Sequence, residues 1–208
     1  MRNFFLVTAL AVFGLANVTA QIEAPTYGFD QGDIFLEGNI QYNATNNRNT
    51  EVETSNFNIS PKAGYFLNSD FAFGVEASYG QNKETEEDIE TTNSNLSAGI
   101  FGRYYFLDLG KRFKTFTELG VNYLHTKTEI DGVDDDLKAN GFGAGLGLGI
   151  NYFVNDNIAI TFGLSDLISY QSVKADIDGA KAVSQTNADI NIIDNFFDTA
   201  QFGLLFKL

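Results

Sequence analysis

Histidine is the side chain best suited to acid–base catalysis near neutral pH, and this chain has one, His125. Thr126 and Thr128 lie beside it, and Glu129 is close by. A surface enzyme that modifies lipids could use such a histidine as its base. However, no nucleophile stands at a spacing that would pair it with His125, and the sequence has neither a serine-nucleophile motif nor a Gly-rich phosphate loop. We therefore predict no catalytic residues and keep the lipid-modifying enzyme as an alternative.

Metal chemistry has one candidate segment, the acidic run 131–136 (Asp-Gly-Val-Asp-Asp-Asp). Oxygen-rich runs suit Ca²⁺, but this one lacks the residue order and the final Glu of an EF-hand loop. The chain has no Cys, which excludes disulfides and Cys-ligated metals. We predict no metal site and no cofactor, and we expect the run to be solvated or to bridge cations loosely to lipid headgroups.

Five charged residues stand at similar depths in segments that alternate as strands do: Glu37, Lys62, Glu76, Arg103 and Glu118. A hairpin around Ser69 would place Lys62 directly opposite Glu76. The next short turn would bring Arg103 near Glu118 in the same way. Because an unpaired buried charge costs several kcal/mol, we predict that these residues form a paired, structural layer inside the fold. A gated path for protons or small ions is the alternative.

The elements that position these residues are eight segments in which apolar residues alternate with polar or small ones. Strands are predicted at about 33–43, 56–67, 71–80, 95–106, 113–124, 139–154, 158–170 and 196–208. Short connections at 68–70, 107–112 and 155–157 alternate with long polar ones at 44–55, 81–94, 125–138 and 171–195. This rhythm predicts an all-β fold, an eight-stranded antiparallel up-and-down transmembrane β-barrel with short periplasmic turns and long extracellular loops.

Two positions disturb the alternation. Pro61 has no N–H to donate to a β-ladder, so we expect a bulge in the second predicted strand. Asp166 falls on the apolar face of the seventh predicted strand. Either a bulge lies near Ser165, or this end of the strand lies above the lipid.

A water-soluble eight-stranded barrel that encloses a ligand is the rival fold, with its apolar face turned inward. The other face of the strands argues against it. In the sixth predicted strand, this face carries five alternating glycines, Gly141, Gly143, Gly145, Gly147 and Gly149. Alternate glycines suit a crowded interior and would be wasted on a solvated surface, so we expect the apolar face to point outward into lipid.

The first 20 residues have the pattern of a secretory signal peptide: Arg2, an apolar run from Phe4 to Ala16, and an ending Val18-Thr19-Ala20. We therefore expect a signal peptide at 1–20 and a barrel domain at 21–208. The chain has 27 acidic residues against 13 basic ones, one of which is Arg2. A chain this acidic repels phosphate, which argues against a nucleic-acid partner.

The last predicted strand carries apolar residues at every second place up to the C-terminus, Phe202, Leu204, Phe206 and Leu208. This run resembles the terminal signal by which the barrel-assembly machinery recognises outer-membrane proteins. That signal usually ends in an aromatic residue, whereas this chain ends in Leu208.

Two further motifs, GYFLN at 64–68 and NYFVNDN at 151–157, each join an aromatic strand end to an Asn-containing turn. With the alternating glycines and the terminal strand, they make residues 33–208 resemble the small outer-membrane β-barrel family. This family is OmpX-like and includes the outer membrane protein beta-barrel domain common in Bacteroidetes. The resemblance implies a place in the outer membrane of a Gram-negative cell and implies no catalytic residues.

From these observations we expect a non-enzymatic integral outer-membrane protein with a structural or interaction role, such as an accessory subunit of a secretion or assembly complex. A narrow channel for ions or small solutes is the alternative, followed by the lipid-modifying enzyme. The expected partners are outer-membrane lipid, the barrel-assembly machinery during biogenesis, and a protein bound through the extracellular loops or the barrel wall.

Overall fold

The structure is a computed structural model that describes residues 27–87, 89–188 and 201–208. The predicted signal peptide lies outside these residues. Nine strands are described, and they account for most of the chain between Ile34 and Lys207. They are β1 (Ile34–Asn47), β2 (Val52–Phe66), β3 (Phe71–Glu86), β4 (Ile89–Leu109), β5 (Phe113–Ile130), β6 (Leu137–Phe153), β7 (Ile158–Ala175), β8 (Val183–Ala188) and β9 (Gln201–Lys207).

The strands form a closed antiparallel barrel. Each strand from β1 to β7 pairs with the next, and β9 closes the ring because it pairs with β7 on one side and β1 on the other. β8 pairs with Ile168–Val173 of β7, whereas β9 pairs with Ile158–Gly163 of the same strand. The two therefore lie in line along β7 as parts of one wall, and the predicted eight-stranded antiparallel barrel is confirmed.

The strands extend much further than the sequence predicts. β3 continues to Glu86 and β4 begins at Ile89, so most of the predicted loop 81–94 is a β-hairpin. The same holds at 44–55 and 125–138, and β8 lies inside the predicted loop 171–195. Our loop boundaries were wrong because above the membrane both faces of a strand meet water. Both can then be polar, and the alternation that marks a strand disappears.

The irregular positions also differ from expectation. The predicted bulge at Pro61 is wrong: the β2–β3 ladder lacks a bridge at Ser60 and Pro61, yet its register is the same on both sides. In the middle of β7, register shifts occur on both sides of Ser165 and Asp166. These shifts place Asp166 opposite Gly147, so a bulge near Ser165 accounts for the broken alternation.

The two faces of the wall differ as a membrane barrel requires. The outward face exposes large apolar side chains, with Ile40 at 72% and Phe142 at 64%. The inward face holds the fully buried aromatic core, including Phe35 and Phe66. The outward face is what excludes a soluble ligand-binding barrel, because such a barrel exposes polar residues to water. Within the described residues, no helix is long and apolar enough to cross a membrane.

Inward-facing glycines make room for these aromatic rings. A Cβ on Gly64 would lie 2.2 Å from the ring of Phe35, and a Cβ on Gly149 would lie 2.3 Å from the ring of Phe116. Both distances are far below van der Waals contact. Gly149 of β6 therefore leaves room for the ring that Phe116 of the neighbouring strand places in the lumen.

Candidate functional site in the barrel lumen

The register of the strands brings the five predicted charged residues to one level of the lumen. Lys62 is opposite both Glu37 on β1 and Glu76 on β3. Arg103 on β4 is opposite Glu118 on β5. All five side chains belong to one connected group of ion pairs, which we call the charge layer (Glu37, Lys62, Glu76, Arg103 and Glu118).

Arg103 is the centre of the charge layer. Its side chain is 1% exposed, and its Nη1 lies 2.7 Å from Glu37 Oε2. Its Nη2 lies 2.6 Å from Glu118 Oε2, which also accepts a hydrogen bond from Nε at 2.7 Å. A guanidinium can satisfy two carboxylates in this way because its donors lie in a rigid plane.

Three aromatic rings surround the same guanidinium. The Arg103 Cζ lies 4.0 Å from the ring centre of Phe116, 5.1 Å from that of Phe35 and 5.7 Å from that of Phe101. Aromatic faces attract cations, and the attraction grows when water is excluded. The rings thus replace part of the hydration that Arg103 loses on burial.

Lys62 links the remaining acid, Glu76, to Glu118. Its Nζ lies 2.8 Å from Glu76 Oε2 and also donates a hydrogen bond to Glu118. Glu118 therefore lies between the two cations of the layer, and each of the five charged groups has at least one partner of opposite sign. Such pairing offsets the cost of removing these charges from water.

Neutral residues extend the charge layer around the lumen. Thr161 donates to Glu37 at 3.1 Å, and Asn151 donates to Thr161 at 2.8 Å. Tyr105 donates in turn to Asn151 at 2.9 Å. With these three residues, the polar network includes a side chain from each of β1 to β7. Sequence reasoning missed them, although Asn151 continues the inward parity of the β6 glycines and could have been found by it.

An aromatic floor closes the lumen on the periplasmic side of this network. The ring of Phe29, which precedes β1, stacks on Phe66 at 4.1 Å between centres. It also meets Tyr105 at 5.0 Å and Phe153 at 5.2 Å. The sequence did not predict this contact, because residues 21–31 show no periodic pattern. Two aromatic residues before the first strand, Tyr27 and Phe29, were the available signal.

The lipid-facing wall, the packed lumen and the short turns at one end agree with the family that the sequence matches. The model of the family described as outer membrane protein beta-barrel domain matches residues 5–204. This chain belongs to that family. It is accordingly a protein of the Gram-negative outer membrane. No curated protein sequence matches the chain.

Solved structures of other outer-membrane barrels share the fold. Neisserial surface protein A (NspA) is 17% identical, with 85% of this chain and 96% of that chain covered and a TM-score of 0.51. OprG from Pseudomonas aeruginosa is 15% identical, with 87% and 98% covered and a TM-score of 0.51. At these identities the likeness shows the barrel fold alone.

The predicted terminal signal of this outer-membrane barrel lies on its lipid-facing side. Phe202, Leu204 and Phe206 pair with the apolar residues Phe162, Ile160 and Ile158 of β7. Between them, Leu205 points into the lumen and is fully buried. Leu208 follows β9 and donates its backbone N–H to Ile34 at 2.8 Å.

His125 lies on β5 in the extracellular part of the barrel. Its Nδ1 is 2.7 Å from Asn140 Oδ1, and the same oxygen accepts a hydrogen bond from Tyr123 at 2.7 Å. Its contacts therefore involve an amide and not a nucleophile. In the described part of the chain, no three His, Asp or Glu side chains gather in a way that could hold a metal ion.

Proposed function

We propose that this protein is a sealed outer-membrane barrel that acts through its extracellular hairpins, as a structural or interaction protein and not as a channel or an enzyme. The observation that supports the proposal is the filling of the lumen by side chains. A connected polar network on seven strands crosses the lumen, and the aromatic floor beneath it includes Phe29, Phe66 and Phe153.

An eight-stranded barrel encloses little more than the volume of its own side chains. Here that volume holds Arg103 and the fully buried rings of Phe35, Phe66 and Phe153. An ion would have to separate paired charges and then pass the aromatic floor. Both steps cost several kcal/mol or more, because each leaves a buried charge unpaired or an apolar contact open.

The hairpins above the lipid carry ion pairs between neighbouring side chains. In the β3–β4 hairpin, Lys83 lies 2.7 Å from Glu90. In the β5–β6 hairpin, Lys127 lies 2.7 Å from Glu129 and 3.0 Å from Asp136. Long β-hairpins that carry paired charges offer a surface to which a protein partner can bind. We propose that the protein acts in this way as a member of a larger outer-membrane assembly.

Two measurements test the proposal. Purified protein in planar bilayers should show no steady conductance, and proteoliposomes should not leak small sugars. Steady openings that disappear in Glu76→Gln would overturn the sealed-barrel view and favour a channel.

The interaction role is tested by purification of the native protein from its membrane in mild detergent. A stoichiometric partner should be retained and should be lost when Asp134, Asp135 and Asp136 are all changed to Asn. The matched control is Asp70→Asn, an acidic residue in a periplasmic turn, which should retain the partner. Purification of the protein alone under all conditions, or an altered lipid profile in a deletion strain, would contradict the proposal.

A further inference from the structure

Residues 27–33, which precede β1, cross the periplasmic mouth of the barrel. At one end, the ring centre of Tyr27 lies 4.5 Å from the guanidinium of Arg112 in the β4–β5 turn. Arg112 in turn donates to the backbone oxygens of Phe153 and Val154, at 3.3 and 3.0 Å. At the other end, Gly32 donates its N–H to Phe66 at 2.9 Å. The segment thus reaches from the β4–β6 side of the mouth to β2.

The ring closes between β1 and β9. In the described residues, these strands pair from Phe35 with Lys207 to Gly38 with Leu204, which is four residue pairs. The seam, which we define as these four pairs, lies at the periplasmic end of the closing contact, beside residues 27–33.

The same segment holds both strands of the seam. Lys207 of β9 donates from Nζ to the backbone oxygen of Gly28 at 3.0 Å and lies 3.7 Å from Asp33. Asp33, directly before β1, accepts the N–H of Phe66 at its backbone oxygen at 2.9 Å. The position of Lys207 relative to β1 thus depends on where residues 27–33 lie.

We infer that residues 27–33 form a periplasmic latch that keeps the seam between β1 and β9 closed. Phe29 is its anchor, since its ring is buried among Phe35, Phe66, Tyr105 and Phe153. When the latch is docked, Lys207 is held and β9 stays registered on β1. When it undocks, the seam is the first part of the barrel to open. The inference concerns closure of the ring and does not depend on the proposed function.

Deuterium exchange of the protein folded in micelles, followed by mass spectrometry, tests the latch. Phe29→Ala removes the anchor ring. Exchange of amides in 35–38 and 204–207 should then rise about tenfold or more, since loss of a buried Phe is among the costliest truncations. The β3–β4 ladder should keep its protection, because it is remote from the seam.

Phe113→Ala is the matched control. It removes an aromatic ring that also lies at the periplasmic end but pairs with Tyr152 on the outer wall, at 4.8 Å. It should leave exchange at the seam unchanged. If Phe29→Ala speeds exchange in 27–33 but leaves the seam as protected as in the unaltered protein, the latch is refuted. The same holds if both variants loosen the seam equally.

Lys207→Met tests the latch in a second way and leaves the aromatic floor intact. It keeps the aliphatic part of the side chain and removes the donor to Gly28. Exchange at the seam should rise about threefold, as expected for loss of one modest hydrogen bond. If Phe29→Ala does not fold, this variant decides alone, and an unchanged seam would overturn the inference.

Discussion

The guanidinium of Arg103 makes two parallel hydrogen bonds with the carboxylate of Glu37, at 2.7 and 2.9 Å. Their strands, β4 and β1, are not neighbours, since β2 and β3 lie between them in the wall. The pair therefore joins distant parts of the ring across the lumen, where backbone hydrogen bonds cannot act. Its loss should affect the barrel as a whole and not a single ladder.

Arg103→Met should destabilise the barrel strongly. The substitution leaves Glu37 buried beside Glu118 without their shared cation, and breaking a buried pair in this way costs about 3–5 kcal/mol. Urea unfolding in micelles, followed by far-UV circular dichroism of the backbone, measures the free energy of unfolding. The double variant Arg103→Met with Glu37→Gln should recover part of the loss, because one unpaired charge is removed. No recovery would show that packing, and not charge pairing, explains the effect.

Gly64→Ala should destabilise the protein because its Cβ would lie 2.2 Å from the fully buried ring of Phe35. Overpacking of this kind costs about 1–3 kcal/mol. The temperature at which the folded band is lost on SDS gels measures it. Gly145→Ala is the matched control, since its nearest heavy atom, the backbone oxygen of Ile168, lies at 3.8 Å. Equal shifts for both variants would contradict the packing account.

The Lys83–Glu90 pair in the β3–β4 hairpin should respond to extremes of pH. Hydrogen bonds from Lys83 and Thr92 hold the pKa of Glu90 below its usual value of 4.5. The hydrogen bond to Glu90 raises the pKa of Lys83 above its usual 10.5. The contribution of Glu90 is thus present above pH 4.5 and lost as pH falls through its lowered pKa. That of Lys83 is present below pH 10.5 and lost as pH rises through its raised pKa.

NMR titration of the Glu90 carboxyl and the Lys83 ammonium group measures both shifts directly. Between these limits the hairpin should be insensitive to pH. Glu90→Gln should return the Lys83 pKa towards its usual value, while Glu84→Gln should not. A Glu90 pKa at or above the usual value would refute the pairing.

Phe202→Gln should reduce assembly of the barrel in the outer membrane. Its ring lies on the lipid-facing side of β9, 5.2 Å from Phe162, in the strand that we interpret as the assembly signal. The folded fraction in outer-membrane preparations measures assembly. Leu96→Gln is the control, because Leu96 is a similarly outward residue on β4. If both variants assemble equally well, the terminal strand carries no special signal.

One property of the sequence, the alternation of residue types along each strand, predicts both the barrel and the positions of the charge layer. Within the membrane the two faces of a strand meet different environments, so the outward Val75 is apolar and the inward Glu76 is charged. Every second residue from Glu76 therefore belongs to the inward face. Antiparallel register then places Lys62 opposite Glu76 once one turn is known. These are local properties, which a linear pattern can express.

Other features depend on contacts that no local pattern records. Phe29 joins the floor because four rings from β1, β2, β4 and β6 meet there, and nothing near it in the chain indicates this. The extended hairpins were missed because polar residues such as Thr85 and Glu86 form a ladder without any apolar face. Pro61 keeps its register although the ladder loses bridges beside it, so composition alone overstated its effect.

The hairpins continue the same ladder that crosses the lipid, with Tyr79 opposite Leu96 and Thr85 opposite Glu90 in unbroken register. Insertions or deletions above Tyr79 that add or remove one residue on each strand would lengthen or shorten the hairpin without rotating any residue below it. Descendants of this gene could therefore vary the height of their surface structures freely while inheriting the lumen unchanged. Insertion of one residue on each strand of a hairpin is thus a way in which one barrel can change its extracellular surface.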